Sequence, residues 1–309
     1  MAGFAMLITS RLKALLMLCV ALFYQHRRTL ATVASENLRP SLSRHNYLGL
    51  CVIVLDLRDF VDHYMALGVS NIHIFDHNSS TPAIKQFWDY AKAGIVEYHY
   101  IEDFILFNGE AIVQFEAYRQ CIKKYAHRHQ FLAFFDDNEY LVLSQAANTT
   151  SLPGFLRAYE GFGGLAVNWR IISSSGHTFM PLGRVDNYVQ CLPQQHFQNT
   201  HVKVIANTKY VVAAHGSPHT FGYVGGANAV NENFLPAQSA FSDPVSTNKV
   251  ALYHYTVKLR EDFKRKLFWS IGAGGGKKRP DSWFDEIEAS ANETCTALQS
   301  RRKQDMRHE

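Results

Sequence analysis

The stretch FLAFFDDNEYLVL, Phe131 to Leu143, sets the problem of this chain. Phe131 to Phe135 is a short, aromatic-rich run without polar alternation, the pattern of a strand buried on both faces. It stops at Asp136, Asp137, Asn138 and Glu139 before the chain turns apolar again. Three carboxylates crowded at the end of a buried strand are costly unless solvent reaches them or a positive group neutralises them. The segment is either a surface turn or the seat of a cation.

Reading upstream, a helix over roughly 111–126 leads into this strand, and IVEYHY (95–100) is another strand. Before it stand the helix AIKQFWDYAKAG (83–94) and the strand NIHIFD (71–76), closed by the turn-forming HNSSTP. The helix RDFVDHYMALGV carries Phe60, Val61, Tyr64 and Leu67 on one face and ends at Gly68, and YLGLCVIVLDL precedes it as a buried strand. Strands alternating with helices predict βαβ units, hence an α/β fold with a mostly parallel sheet and helices on both faces. Ligands of such sheets bind beyond the carboxyl ends of the strands, where both Asp76 and Asp136 fall.

Past residue 150 the rhythm loosens. GGLAVNWRIISSSGH holds a strand and a Ser/Gly turn, HVKVI and YVVAAH are strand candidates, and helices are expected from about Arg260 and over DSWFDEIEASANETCTALQ. GAGGGKK (272–278) lacks the preceding strand and the spacing of a phosphate loop.

At 309 residues, 47% hydrophobic and 19% charged, the chain has an ordinary globular balance. Its net charge of +4 is modest and its basic residues gather towards the ends, without the aromatic-interleaved stripe of a nucleic-acid binder. The five cysteines show no CxxC spacing, so they spell neither a zinc site nor a disulfide framework. Cys51 and Cys121 read as small core residues; one disulfide, its pair undetermined, is open if the chain is secreted. ALLMLCVALFY (14–24), with Arg11 and Lys13 before it, is shorter than the about 20 residues that span a bilayer. Residues 1–24 read as a signal peptide or signal anchor and 25–44 as a stem. Sequons at Asn78, Asn148 and Asn292 suit a secretory lumen.

The acidic turn has the shape of the Asp-x-Asp element that holds a divalent cation against a nucleotide diphosphate, since hard cations take carboxylate oxygens from short loops. Around it the chain resembles glycosyltransferase family 92. DFVDHYMALGVSNIHIFDHNSS looks like that family's opening block, and QFEAYRQCIKKYAHRHQFLAFFDDNEYLVL resembles its helix followed by FIDVDEF. VNWRIISSSGH, HVKVI…HTF and LYHYTVKLREDFKRK resemble three later blocks, in the family's order, from about 48 to 270.

The resemblance implies a GT-A-like nucleotide-sugar fold over 45–272, with a C-terminal helix and basic tail over 273–309. It implies metal-dependent, inverting transfer of a sugar, galactose being typical, from a UDP-sugar to a glycan acceptor. Mn²⁺ or Mg²⁺ would sit at Asp136 and Asn138, the latter standing where the family's second Asp is expected. His219 and His254 are candidate further metal ligands. Asp76, Lys203, Lys258, Trp169 and His177 are donor-site candidates. Three of these also have a plainer reading: turn cap for Asp76, strand lysine for Lys203, core aromatic for Trp169. Glu139 and Asp186 are candidate general bases. The implied location is the Golgi membrane, single-pass with a lumenal catalytic domain, or alternatively a secreted or organellar one. A non-catalytic glycan- or nucleotide-binding relative is the rival reading, and a hydrolase built on Ser175 and His177 is disfavoured because no G-x-S-x-G elbow surrounds them.

Overall fold

The computed structural model of the chain describes residues 46–53, 58–77, 79, 82–101, 113–179, 187–215, 217–269 and 280–299. Strand β1 (Asn46–Ile53) is followed by α1 (Arg58–Ala66), which buries Phe60, Val61, His63 and Tyr64. Gly68 closes this helix in the left-handed region (φ +93°), and a Cβ there would stand 3.0 Å from Pro153. Next come β2 (Asn71–His77), a 3₁₀ turn (Ala83–Phe87) running into α2 (Trp88–Lys92), and β3 (Val96–Ile101). Helix α3 (Val113–Tyr125), β4 (His129–Phe134) and β5 (Glu139–Leu143) complete the first half.

The second half contributes α4 (Leu152–Leu156), β6 (Gly164–Ile171), β7 (Gln190–Cys191), β8 (Val202–Asn207) and β9 (Val211–His215). Then follow β10 (Ser217–Tyr223), β11 (Ala229–Val230), β12 (Val250–His254), α5 (Arg260–Trp269), α6 (Ser282–Ser290) and β13 (Glu293–Thr294).

The main sheet runs β3-β2-β1-β4-β8-β6-β12-β5, with β11 beside β6. The expectation of a mostly parallel sheet is met in the first four strands and corrected beyond them. β1, β2, β3 and β4 pair in parallel, whereas β8 is antiparallel to both β4 and β6. β12 is parallel to β6 and antiparallel to β5. The fold is therefore mixed α/β. Helical crossovers impose parallel pairing in the first half; the later strands are joined by loops and a hairpin, which carry no such demand. A strand buried on both faces reads as one apolar run whichever way it points, so composition could not report direction.

Strand alternation divides the core into two layers. Leu48, Leu50, Val52, Phe131, Ala133 and Phe135 face the layer that contains α1, and Cys51, Leu132 and Phe134 face the layer that contains α3. Two disulfides cross-link this frame, correcting the reading of Cys51 and Cys121 as plain core residues. Cys51 on β1 joins Cys121 on α3, and Cys191 on β7 joins Cys295 beyond α6. Partners 70 and 104 residues apart are chosen by packing, which spacing in sequence does not express. Cys19 lies outside the described residues, as do the 1–24 and 25–44 segments and the sequon at Asn78. Asn148 and Asn292 are exposed. Among the described residues no helix is long and apolar enough to cross a membrane.

At the amino ends of β2 and β4, His73 Nε2 and His129 Nε2 lie 2.9 Å apart. His129 Nδ1 donates to the Asn46 carbonyl, so its Nε2 accepts and His73 donates. The His73 ring lies flat on Tyr125, centroids 3.5 Å apart. Burial first, then the neighbouring His129, hold His73 well below the ordinary imidazole range; burial and Lys124 lower His99 on β3 to about 3. The unfolded chain therefore binds more protons below about pH 6.5, and stability present above that value is lost as pH falls. Between pH 7.5 and 5.5 the two histidines together are expected to remove about 3 kcal/mol. Glu139, raised by burial, and His219, lowered by it, also titrate in this window. The urea midpoint shift of wild type is therefore compared with that of His99→Gln, and a shift no smaller in the variant would contradict it.

Candidate functional site

The acidic turn after β4 is closed from within. The Asp136 amide donates to Glu139 Oε2 at 2.8 Å, and the Glu139 amide donates to the Asp136 carbonyl at 3.0 Å. Lys203 enters from β8: its Nζ donates to Asp136 Oδ1 at 2.8 Å and stands 3.8 Å from Glu139 Oε2. Gln114 on α3 adds a second donor to the same Oδ1 at 2.7 Å and also donates to the Tyr118 hydroxyl. The ammonium lies 5.9 Å from the centre of the Tyr118 ring.

Register brings in the rest. β12 pairs with β5 so that His254 lies opposite Glu139, its Nδ1 4.0 Å from Oε1, and pairs with β6 so that Trp169 lies opposite Leu252. Trp169 meets His254 at 4.2 Å and His219 at 5.4 Å between ring centroids, and stacks on His201 at 4.6 Å. His219 Nδ1 donates to the Val202 carbonyl, leaving Nε2 with a free lone pair for as long as the ring is neutral. Burial and Lys203 lower this imidazole to about 4, so it is neutral at physiological pH.

Exposure separates the members. The Asp136 side chain is 36% exposed, while those of Lys203 and Glu139 are 1% and 0%. Burial pushes the Asp136 carboxyl up, but the charge and hydrogen bond of Lys203 outweigh it and hold it below the usual range. Glu139 moves the other way, raised chiefly by burial with Asp136 adding to it against Lys203. The lysine itself is lowered by burial and raised more by the two carboxylates. The cluster thus offers one ionised, outward-facing carboxylate on a buried ionic support.

A model of glycosyltransferase family 92 matches residues 50–233. The chain belongs to glycosyltransferase family 92. A comparison with curated protein sequences finds no match. Among solved structures, S. aureus TarS 1–349 is 10% identical, with a TM-score of 0.33 over 52% of this chain and 47% of that one. The same protein in complex with UDP gives a TM-score of 0.30 at 10% identity, over 52% of this chain and 47% of that one. HddC from Yersinia pseudotuberculosis gives 0.28 at 10% identity, over 53% and 69%. This family 92 chain spans about half the length of the TarS chain it matches.

Several residues that the family pattern assigns to the site stand elsewhere or in other roles. Asp76 is wholly buried: Oδ1 accepts from the Ser79 amide, and Oδ2 accepts from the Ala83 amide and the Tyr98 hydroxyl, so it fixes the loop after β2. Trp169, open to both a donor-site and a core reading, is 3% exposed and packs against His254, His219 and His201, which leaves it no open face for a sugar. Glu139 has no exposed side-chain surface on which to meet an acceptor hydroxyl, which corrects its assignment as general base. His177 sits apart, Nε2 on the Asn187 carbonyl and its ring against Tyr188. Its turn is clasped by Glu288 through the Ser174 amide and hydroxyl, and Ser175 Oγ accepts from the Val189 and Gln190 amides. Lys258 is partly buried just past β12, and Asp186 lies outside the described residues.

The residues that the sequence reading missed are Gln114, Tyr118 and His201. Gln114 and Tyr118 are four apart on the buried face of α3, and a glutamine on such a face was the signal available. His201 had none, because its stacking on Trp169 is set by the pairing of β6 with β8.

Asp136 and Asn138, the metal pair expected for this family, are both engaged within the protein. Asn138 is buried with its amide turned inward, Nδ2 donating to the Tyr255 carbonyl at 3.1 Å while the Tyr255 amide donates back to the Asn138 carbonyl. Asp136 Oδ1 already holds an ammonium and an amide. Among the described residues no group of three or more His, Cys, Asp or Glu is arranged to hold a metal ion. Asp136 and Asn138 therefore do not fit a shared divalent ion.

Proposed function

We propose that this family 92 chain is a glycosyltransferase with a GT-A-like domain over 45–272. In this reading it moves a sugar, galactose in the family's typical reaction, from a UDP-sugar to a glycan acceptor with inversion. What carries the reading is that the family match contains the strand end at which Asp136 faces outward, ionised, on the buried Lys203 support. An ionised carboxylate at that place suits hydrogen bonding to sugar hydroxyls and favours positive charge developing on the anomeric carbon. The neutral His219, partly exposed beside it, supplies a hydrogen-bond acceptor. In this reading the general base lies outside the buried cluster and is Asp186.

The proposed location is the Golgi lumen, tethered through residues 1–24. Two disulfides suit an oxidising compartment, and the exposed Asn148 and Asn292 suit glycosylation there. The inward turn of Asn138 favours a second reading, a relative that binds the donor without turning it over. UDP release from a panel of UDP-sugars, with and without glycan acceptors, separates the two. In the first reading Asp136→Asn lowers UDP-galactose turnover by about 100-fold or more while the fold persists. Wild-type turnover in a folded Asp136→Asn protein would refute the assignment, and tight UDP binding without turnover of any donor would establish the second reading.

A further inference from the structure

We infer that Lys203 is an internal cation, standing where a divalent ion would bridge the acidic turn, so that this chain takes up a nucleoside diphosphate without a metal ion. The nucleotide half of this inference rests on the transferase reading above; the cation half rests on side-chain geometry alone.

Three observations converge. The Lys203 ammonium lies between two carboxylates, 2.8 Å from Asp136 Oδ1 and 3.8 Å from Glu139 Oε2, on a side chain 1% exposed. A carboxylate oxygen offers two lone-pair directions, and Lys203 and Gln114 take both on Asp136 Oδ1. The position where a second acid would add charge is Asn138, an uncharged and buried side chain whose Nδ2 donates to the Tyr255 carbonyl.

The buried ammonium offsets one of the turn's three carboxylates, Asp136, Asp137 and Glu139, so less negative charge is left to hold a hard divalent ion. An incoming divalent ion would also stand within a few ångströms of a buried positive charge that cannot swing into water. The lysine reaches this place because β8 runs antiparallel beside β4, bringing its own first residues to the far end of that strand.

Calorimetric titration of the full chain with MnCl₂ alone, with UDP in EDTA and with UDP plus MnCl₂ tests the inference. MnCl₂ alone is expected to give no saturable heat to about 1 mM, and the UDP Kd in EDTA to lie within about threefold of that in MnCl₂. Stoichiometric Mn²⁺ uptake by the wild-type protein overturns the internal cation. UDP binding abolished by EDTA and restored by MnCl₂ also overturns it, while leaving the transferase reading in place. Silence towards UDP under both conditions overturns the transferase reading and metal-free nucleotide uptake with it, and the MnCl₂ arm still decides the cation. Lys203→Met is expected to gain an MnCl₂-dependent rise in Tm that wild type and Lys203→Arg lack. An unchanged Tm in folded Lys203→Met counts against the inference. Should that variant fail to fold, the wild-type titrations decide the matter.

Discussion

Reducing the two disulfides is expected to lower stability by about 4–5 kcal/mol each, which is most of the stability of an ordinary domain. The loops closed by Cys51–Cys121 and Cys191–Cys295 span 70 and 104 residues, and chain entropy grows with loop length. The two bonds act in different places. Cys51–Cys121 pins α3 to β1, so its loss loosens the helix that carries Gln114 and Tyr118 to the acidic turn. Cys191–Cys295 fastens the segment after α6 to β7, beside the Arg170 guanidinium that pairs with Glu293 at 2.6 Å. Urea midpoints of Cys51→Ala/Cys121→Ala and Cys191→Ala/Cys295→Ala, against wild type with and without a reductant, measure each contribution. Protein made in an oxidising compartment should show at most one free thiol when denatured, since four of its five cysteines are paired. Five free thiols, or midpoints indifferent to reductant, would dismiss both bonds.

Asn138→Asp carries the second large effect, opposite to what the motif alone would promise. By family pattern an aspartate at this position restores the second acid of the element and should help. In the structure it sets a buried carboxylate against the Tyr255 carbonyl, where the amide now donates at 3.1 Å. The hydrogen bond is lost and two acceptors face each other, at an expected cost of about 2–4 kcal/mol. Asn138→Ala removes the bond without adding charge and should cost less, about 1–2 kcal/mol. Chemical denaturation of the three proteins gives the order, wild type above alanine above aspartate. If aspartate proves as stable as asparagine, the inward orientation of residue 138 is wrong.

Much of the first half was legible in the residues. Apolar runs from β1 to β4 alternate with amphipathic helices, and that alternation forces crossover connections and parallel neighbours. Gly68 after α1 and the polar break at Asp136 mark ends that local chemistry requires. Family membership was legible as well, because it resides in blocks of residues and their order. β5 and β12 were missed as strands: EYLVL and VALYH are short and flanked by functional-looking residues that drew the reading towards chemistry.

Sequence alone determined that buried strands end in acid at Asp136, because period and polarity are local properties of the chain. Tertiary structure decided what meets that acid. Lys203, Gln114, Trp169, His219 and His254 come from five other elements, and their distances follow from strand direction and register. A one-residue slip would turn each strand-borne member to the opposite face of its strand. The disulfide partners, the inward turn of Asn138 and the burial of Glu139 were decided in the same way, since each depends on which surfaces pack together rather than on what stands next in the chain.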